Sequence, residues 1–389
     1  MIEYSNKKFL EQFREAREIL ELLESRGYKS YFVGGCVRDF LMNRDFADID
    51  ITTSAKPDQI KAIFPITIDT GIKHGTVTVK YKKNFYEITT FRSESDYVNH
   101  RAPSKVQFIT TLEDDLERRD FTINAMTLDK DGNIFDFHNG LQDIREKKIR
   151  TVNDPSERFY EDALRMLRVF RFSSKLNFTI DEKTFEAVKN NAKLIKYISM
   201  ERIISEFKKL LVGENNVYAF NKMLESGLNN YIPILNEIVN YKDCSSLSFS
   251  QAMFYLLDIN NISPRGLKQL KLSNKDITAI KKYINIKSQF IDGEAIEKIL
   301  YDNDLDSVKF VNNIYNYVSI NKLQNLKLSI ENFSDVNIDV QDIINLYPDK
   351  RPGKWIKILL NKIEYKILLN ELNNNREDII KFVKLEERS

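Results

Sequence analysis

The chain has 389 residues, 42% of them hydrophobic and 30% charged, which excludes a disordered polymer and predicts about two to four domains instead of one core. A net charge of +2 leaves nucleic-acid contact to local basic patches, not to bulk attraction. Two cysteines, Cys36 and Cys244, and three histidines, His74, His100 and His138, exclude a disulfide framework, argue against a Cys/His zinc site and suit a reducing cytoplasm.

Phe9, Phe13, Ala16, Leu20 and Leu23 recur at helical spacing among Glu, Lys and Arg, which predicts an amphipathic helix ending near Gly27 instead of a signal peptide. No apolar run approaches a membrane span, so a soluble, intracellular protein is expected. Tyr31 to Val33, Gly34-Gly35 and Cys36 to Asp39 read as strand, glycine turn and short helix. A loop and a second strand, Asp48-Ile49-Asp50-Ile51-Thr52, follow. Alternation places Asp48 and Asp50 on the same face of one edge strand, with Ile49 and Ile51 pointing into the core.

Two carboxylates that close repel each other unless a cation sits between them, and hard oxygen ligands near a phosphate favour Mg²⁺. That is the chemistry of metal-assisted phosphoryl or nucleotidyl transfer. Asp-x-Asp also occurs at strand ends with no metal, so the glycines matter. Gly34-Gly35 lets the backbone approach a ligand, and the helix after it turns its first amides toward an anion. Arg38, one turn into that helix, is a candidate bidentate donor to a triphosphate.

Ser54 or Lys56 caps a helix with Pro57 in its first turn, running to Phe64. Ile66 to Thr70, Gly75 to Tyr81 and Phe85 to Phe91 alternate as strands, with Lys82-Lys83-Asn84 turning between the last two. Glu87 on the third strand is either a third carboxylate or a solvated strand residue. Asp96 to Pro103 lacks periodicity and is expected to be a mobile loop. From Leu112 an acid-rich helix is expected to continue through Phe121, Ile123, Ala125 and Met126. Its adjacent arginines, Arg118 and Arg119, cannot face the same way, so one can reach phosphate while the other pairs with nearby acids, and pairing alone is the commoner explanation. Asp131-Gly132 turns between Met126-Leu128 and Ile134-Phe137, a strand pair closing the first domain. Lys147-Lys148-Ile149-Arg150 reads as a solvated basic run.

Asp154-Pro155-Ser156-Glu157 carries an N-cap, a proline at the first helical position and the glutamate of a capping box. The sequence is helical from there on. Asp162, Arg165, Arg168 and Arg171, spaced by i, i+3, form a ridge on the first of these helices. Cytosine and adenine both present a ring-nitrogen acceptor beside an amino donor. An Asp acceptor beside an Arg donor therefore complements C and A and not G or U. An ordinary ion pair accounts for the same spacing. Ile198 to Leu211 is a further capped amphipathic helix, and another ends at Gly227. Pro264, Pro348 and Pro352 break the C-terminal helices, and Lys350 to Trp355 is either a phosphate contact or a turn.

The order of these motifs resembles the class II tRNA nucleotidyltransferases, the CCA-adding enzymes, which share a catalytic head with bacterial poly(A) polymerases. The resemblance rests on Val33 to Asp39 with Asp48-Ile49-Asp50, on Arg118-Arg119-Asp120 through Met126, on Glu161-Asp162-Ala163-Leu164-Arg165 through Arg168, and on Ser199-Met200-Glu201-Arg202. It covers roughly the first 230 residues most strongly. It implies an α+β polymerase-β-like nucleotidyltransferase head (1–150), then an all-α neck (151–212), body (213–300) and tail (301–389) that grip the acceptor arm and 3′ end of tRNA. By position, Asp48 and Asp50 would be catalytic and hold Mg²⁺, and Gly35, Arg38 and Arg119 would contact the triphosphate of CTP or ATP. Asp162 and Arg165 would read the base, supported by Arg168 and Arg171. Cys36 stands where the family usually has alanine. Relatives suggest a homodimer. A-only or CC-only addition, poly(A) synthesis and a non-catalytic RNA-binding module stay open at this point.

Overall fold

The computed structural model describes residues 6–98, 100 and 102–386. The chain divides into two compact units, residues 1–273 and 274–389.

In the first unit, the N-terminal apolar stripe forms two helices, α1 (Asn6–Gln12) and α2 (Arg14–Ser25), with a break at Phe13. Phe9 and Phe13 pack on Phe32 and Phe40, with Phe13 and Phe32 ring centroids 4.5 Å apart. Offset and edge contacts of this kind add specificity to the burial they accompany. These rings seat β1 (Ser30–Val33) and the short α3 (Gly35–Leu41) against the N-terminal pair.

The remaining head strands are β2 (Asp50–Thr53), β3 (Thr67–Gly71), β4 (Thr76–Tyr81), β5 (Asn84–Thr90), β6 (Arg92–Val98), β7 (Ala102–Phe108), β8 (Met126–Leu128) and β9 (Ile134–Asp136). Seven of them form one sheet in the order β3-β4-β5-β2-β1-β8-β9, in which β2 runs antiparallel to β1 and parallel to β5. Helix α4 (Pro57–Ile63) follows β2 with Lys56 as its N-cap, and Ser54 instead accepts from the Lys29 amide. Lys82 takes a positive φ in the tight turn between β4 and β5.

Three expectations for the head change. First, β2 lies at the centre of the sheet and begins at Asp50, so Asp48 sits in the segment leading into it and neither aspartate belongs to an edge strand. Second, the stretch read as a loop is mostly a hairpin, β6 pairing with β7 from Arg92↔Phe108 to Val98↔Ala102; Asn99 and Arg101 lie outside the described residues. Its sequence is polar on both faces and it stands apart from the main sheet, so it leaves no period-2 apolar signal. Third, the helix from Leu112 ends early, as α5 (Leu112–Glu117). The Asp120 carboxylate accepts from its neighbour's amide, Phe121 N, at 2.9 Å and turns the chain. Phe121, Ile123 and Ala125 are all fully buried beyond that turn.

Helix α6 (Gly140–Glu146) and the two-residue β10 (Lys148–Ile149) close the head, and β10 pairs with β11 (Thr179–Ile180). The helical segment starts as expected: Asp154 caps α7 (Pro155–Glu161), accepting from Glu157 N at 3.0 Å. The ridge predicted on one helix is split, because α7 stops at Glu161 and α8 (Leu164–Leu176) begins after a break. Asp162 has extended backbone there and its Oδ1 accepts from Leu164 N, the local bond by which aspartate competes with helix.

Helices α9 (Glu182–Asn191), α10 (Met200–Leu211), α11 (Asn216–Ser226) and α12 (Phe249–Ile259) complete the unit, with α10 and α11 packed on α8. Gly213 makes that packing possible, since a β-carbon there would lie 2.1 Å from Ser174 Oγ and 2.5 Å from the Ser174 carbonyl carbon. Gly213→Ala is therefore expected to cost about 1–3 kcal/mol by overpacking and to lower the thermal midpoint by several degrees. An unchanged midpoint in a melting curve would contradict this contact.

The second unit is helical: α13 (Asn274–Ile291), α14 (Ile296–Asp302), α15 (Leu305–Tyr315), α16 (Ile320–Asn325), α17 (Val340–Leu346), α18 (Lys354–Leu368) and α19 (Arg376–Glu386). Ile343, Ile363, Ile367, Ile379 and Val383 make its core. The Lys350 to Trp355 stretch leads into α18, with Trp355 Nε1 donating to the Arg351 carbonyl and Lys350 4.5 Å from the indole ring.

Candidate active site

The turn from β1 into α3 sets the site. Gly34 takes a φ of +79°, a conformation that favours glycine, and a β-carbon there would sit 3.5 Å from Arg119 Nη1 and 3.6 Å from Asp50 Oδ2. The bare backbone thus brings a guanidinium and a carboxylate together at the mouth of the turn. Around it lies a cavity of about 530 Å³ whose lining includes Gly35, Arg38, Asp48, Asp50, Arg119, Arg168 and Arg171.

Seven of the nine residues given a catalytic, metal or nucleotide role in the sequence share this cavity; Asp162 and Arg165 are not among its lining. Asp48 is exposed and Asp50 partly buried. Burial raises the Asp50 carboxyl above its ordinary value, with Arg119 opposing and the charges of Glu87 and Asp48 adding to the rise. Glu87 is the register partner of Asp50 across the β2–β5 pair. Among the described residues no group of three or more His, Cys, Asp or Glu side chains forms a ready metal cluster. The two cavity-lining aspartates nevertheless fit a hard divalent cation, because a partly desolvated carboxylate beside further negative charge is relieved by one.

Arg118 and Arg119 both pair with buried Asp115, but unequally. It takes Arg118 at 2.7 Å and Arg119 only at 3.5 Å, while also accepting from Thr52 Oγ1 and Arg92 N. Burial works against its charged form, yet Arg118 and Arg119 hold Asp115 below the ordinary carboxylate value. Arg119 Nε, by contrast, is buried with no hydrogen-bond partner, and so is Arg171 Nε. Both arginines line the cavity. Unsatisfied buried donors are rare and costly, and two cationic side chains lining one cavity are suited to an anion.

Arg38 differs from expectation in detail. Its fork is engaged by the neighbouring Asp39, at 2.8 Å through Nε and 2.8 Å through Nη2, and by Asn124 Oδ1 at 2.6 Å. It lies against the Phe172 ring and is buried. Arg168 is gripped by Asp120 and approached by Glu206, and Arg171 pairs with Glu206 at 3.1 Å. Asp162 Oδ2 accepts from Arg202 Nη2 at 2.8 Å, from the helix α10 that the Ser-Met-Glu-Arg motif opens. Arg165 donates to Glu161 at 2.6 Å and to the carbonyls of Arg158 and Arg118.

Sequence reasoning gave no role to Asp39, Asp120, Asn124, Phe172 and Lys175, all of which line the cavity, although the first three lie inside the motifs that carry the resemblance. A signal was present for the last two: Phe172 and Lys175 continue the i, i+4, i+7 face that Arg168 opens on α8. Asp120 is held by several charged and polar neighbours. Burial opposes its charge, but Arg168 and Asn124 outweigh that and hold its carboxyl at about 2. Its folded value lies below the ordinary 3.8, so its contribution is complete above pH about 4 and is lost as pH falls toward 2. Acid titration of unfolding should show about 2 kcal/mol disappearing over that window through this one group. The same loss in an Asp120→Asn variant would contradict the assignment. Cys36 also lines the cavity, where burial pushes its thiol up to about 12.

Three segments match family profiles: residues 30–150 the poly A polymerase head domain, residues 177–238 a probable RNA and SrmB binding site of polymerase A, and residues 248–383 a putative tRNA nucleotidyltransferase domain 2. The CCA-adding enzyme of Staphylococcus haemolyticus strain JCSC1435 is 40% identical over 397 residues, covering 96% of this chain and 98% of that protein. That of Staphylococcus aureus strain MRSA252 is 38% identical, covering 95% and 97%. The crystal structure of the Bacillus stearothermophilus CCA-adding enzyme in complex with CTP is similar with a TM-score of 0.84 and 34% identity, over 97% of this chain and 98% of that one.

Proposed function

Since the chain belongs to the family of CCA-adding enzymes, we propose that the cavity beside Gly34 is where CTP and ATP are joined to the 3′-hydroxyl of tRNA. The product is the 3′-terminal CCA, added or repaired without a nucleic-acid template. One observation carries the assignment of the site: Asp48 and Asp50 line the same cavity as Arg119, whose buried Nε has no partner.

The hydroxyl oxygen attacks the α-phosphorus in line, the new P–O bond forms as the bond to the β-phosphate breaks, the hydroxyl proton is released and diphosphate leaves. Asp48 and Asp50 would hold Mg²⁺, the ion their hard oxygens favour. When bound there, it supplies Lewis acidity and neutralises charge on the phosphates. Arg119 and Arg171 line the cavity and offer their guanidinium charge to the triphosphate and the nucleotide. Gly35 keeps the backbone open beside Arg38, whose Nη2 would lie 3.7 Å from a β-carbon at that position. Arg38, fixed by Asp39 and Asn124, supplies a rigid positive wall.

Asp162 and Arg165 read the base, with Arg168 and Arg171 in support. Asp162 accepts from the exocyclic amino group of C or A, and Arg165 donates to the ring nitrogen. The Arg165 donors are spent on Glu161 and two carbonyls in the free protein, so reading requires one of these bonds to be exchanged for the base. Arg165→Ala should therefore lower the preference for CTP over UTP by about 10-fold or more, the scale of losing a charged hydrogen bond. Single-nucleotide incorporation measures it, and unchanged selectivity would remove Arg165 from base reading.

The head is assigned to 1–150, the neck to 151–212, the body to 213–300 and the tail to 301–389, the last two gripping the acceptor arm. A cytoplasmic reaction is the reading that two free cysteine thiols support; among the described residues no helix is long and apolar enough to cross a membrane. The function itself is tested by incubating a tRNA transcript lacking its terminus with CTP and ATP. Extension by CCA is expected, and no extension, or a homopolymeric A tail, would overturn it.

A further inference from the structure

Six cavity-lining side chains form a closed polar circuit. Lys175 Nζ stands 3.7 Å from Asp39 Oδ2, and Asp39 grips Arg38. Arg38 donates to Asn124 Oδ1 at 2.6 Å, and Asn124 Nδ2 donates to Asp120 Oδ1 at 3.1 Å. Asp120 then takes Arg168 through Oδ2. Lys175 and Arg168 sit two turns apart on one face of α8, so the circuit closes through that helix. It starts and ends on α8 and passes through α3 and the turn after α5.

Asn124 is the only neutral member, and it is the one that needs both of its functions. Its carbonyl faces a cation and its amide faces an anion, an arrangement that no carboxylate or ammonium could satisfy. It is buried, and Asp120 Oδ1 has the Phe121 amide as its other donor. Lys175 is half exposed, burial lowers its ammonium from the ordinary lysine value with Asp39 opposing, and its distance to Asp39 marks the loosest joint.

On the reading of the cavity given above, we infer that Asn124 and Lys175 are positioning residues that couple the triphosphate half of the site, at Arg38, to the base-side half, at Arg168. Neither needs to touch substrate. Loss of the Asn124 bridge frees Arg38 from one acceptor and Asp120 from one donor together, so grip on the triphosphate and choice of base weaken in a single step. Loss of Lys175 removes the second clamp on Asp39 and shifts Arg38 with it.

Asn124→Ala and Lys175→Met are compared with the wild type in single-nucleotide incorporation with CTP, ATP and UTP, alongside thermal midpoints. Asn124→Ala should raise KM for CTP and ATP by a common factor of about 10 and reduce the CTP over UTP preference by about 5-fold, as expected for a buried bridging hydrogen bond. Lys175→Met, at a half-exposed site where folding is not at risk, should raise KM for both nucleotides by about 3-fold, and Lys175→Arg should restore it. A wild type that incorporates neither CTP nor ATP sinks the underlying reading. An active wild type whose Asn124→Ala variant keeps its base preference, or whose Lys175→Met variant keeps its KM, sinks the coupling alone. If Asn124→Ala does not fold, the Lys175 pair of variants decides.

Discussion

Replacing Asp50 by alanine should reduce nucleotide incorporation by about 10³-fold or more while leaving tRNA affinity within about twofold. The expectation comes from where the residue sits. Asp50 opens the central strand β2, held on one side by β1 and on the other by β5, so the backbone at this point is fixed by pairing and not by the carboxylate. The side chain faces a cavity, and its burial already disfavours the charged form, with Asp48 and Glu87 adding to that cost. Truncation therefore relieves electrostatic strain in the free protein. The thermal midpoint is expected to hold or rise, in keeping with sites where function is bought with stability. Asp50→Asn, which keeps the shape and removes the charge, should be nearly as inactive. Primer extension on tRNA reads the first effect and filter binding the second; turnover retained by either variant would refute the assignment.

The second large effect falls on stability. Asp120→Ala should destabilise the protein by about 3 kcal/mol, because it leaves the Arg168 guanidinium without its closest partner in a largely desolvated place. Glu206, 3.7 Å away, is too distant to replace it. Asn124 and Phe121 N would also lose their acceptor. Denaturant unfolding measures the change, and activity should fall with it as a higher KM, since Arg168 is no longer aimed. A loss under about 1 kcal/mol would show that water satisfies Arg168 and that the buried pair contributes little net stability, a balance known for such pairs.

Much of this was legible from residue order. The turn at Gly34-Gly35, the cap at Asp154 and the glycine stop at Gly227 are local devices, and the backbone obeys them in place. The aspartate pair was legible as chemistry, but its setting was not: only the sheet order reveals that β2 is central, and strand pairing between distant segments leaves no local trace. Two helices were read too long because apolar residues continue beyond each end. At Asp162 a carboxylate bonds the Leu164 amide where α7 stops, whereas α5 has already stopped at Glu117, before Asp120 bonds the Phe121 amide. Those breaks are where the motif residues lie. That Arg118 and Arg119 differ in direction followed from helix geometry, whereas the carboxylate both of them pair with, Asp115, could be identified only from its burial.

Binding of Mn²⁺ in the presence of CTP, followed by electron paramagnetic resonance, tests most directly that the two aspartates and the Gly34 turn form one nucleotide and metal site. Saturable binding to the wild type, lost in both Asp48→Ala and Asp50→Ala, is the predicted result. Equal binding in the variants, or none in the wild type under conditions where it extends tRNA, would contradict it.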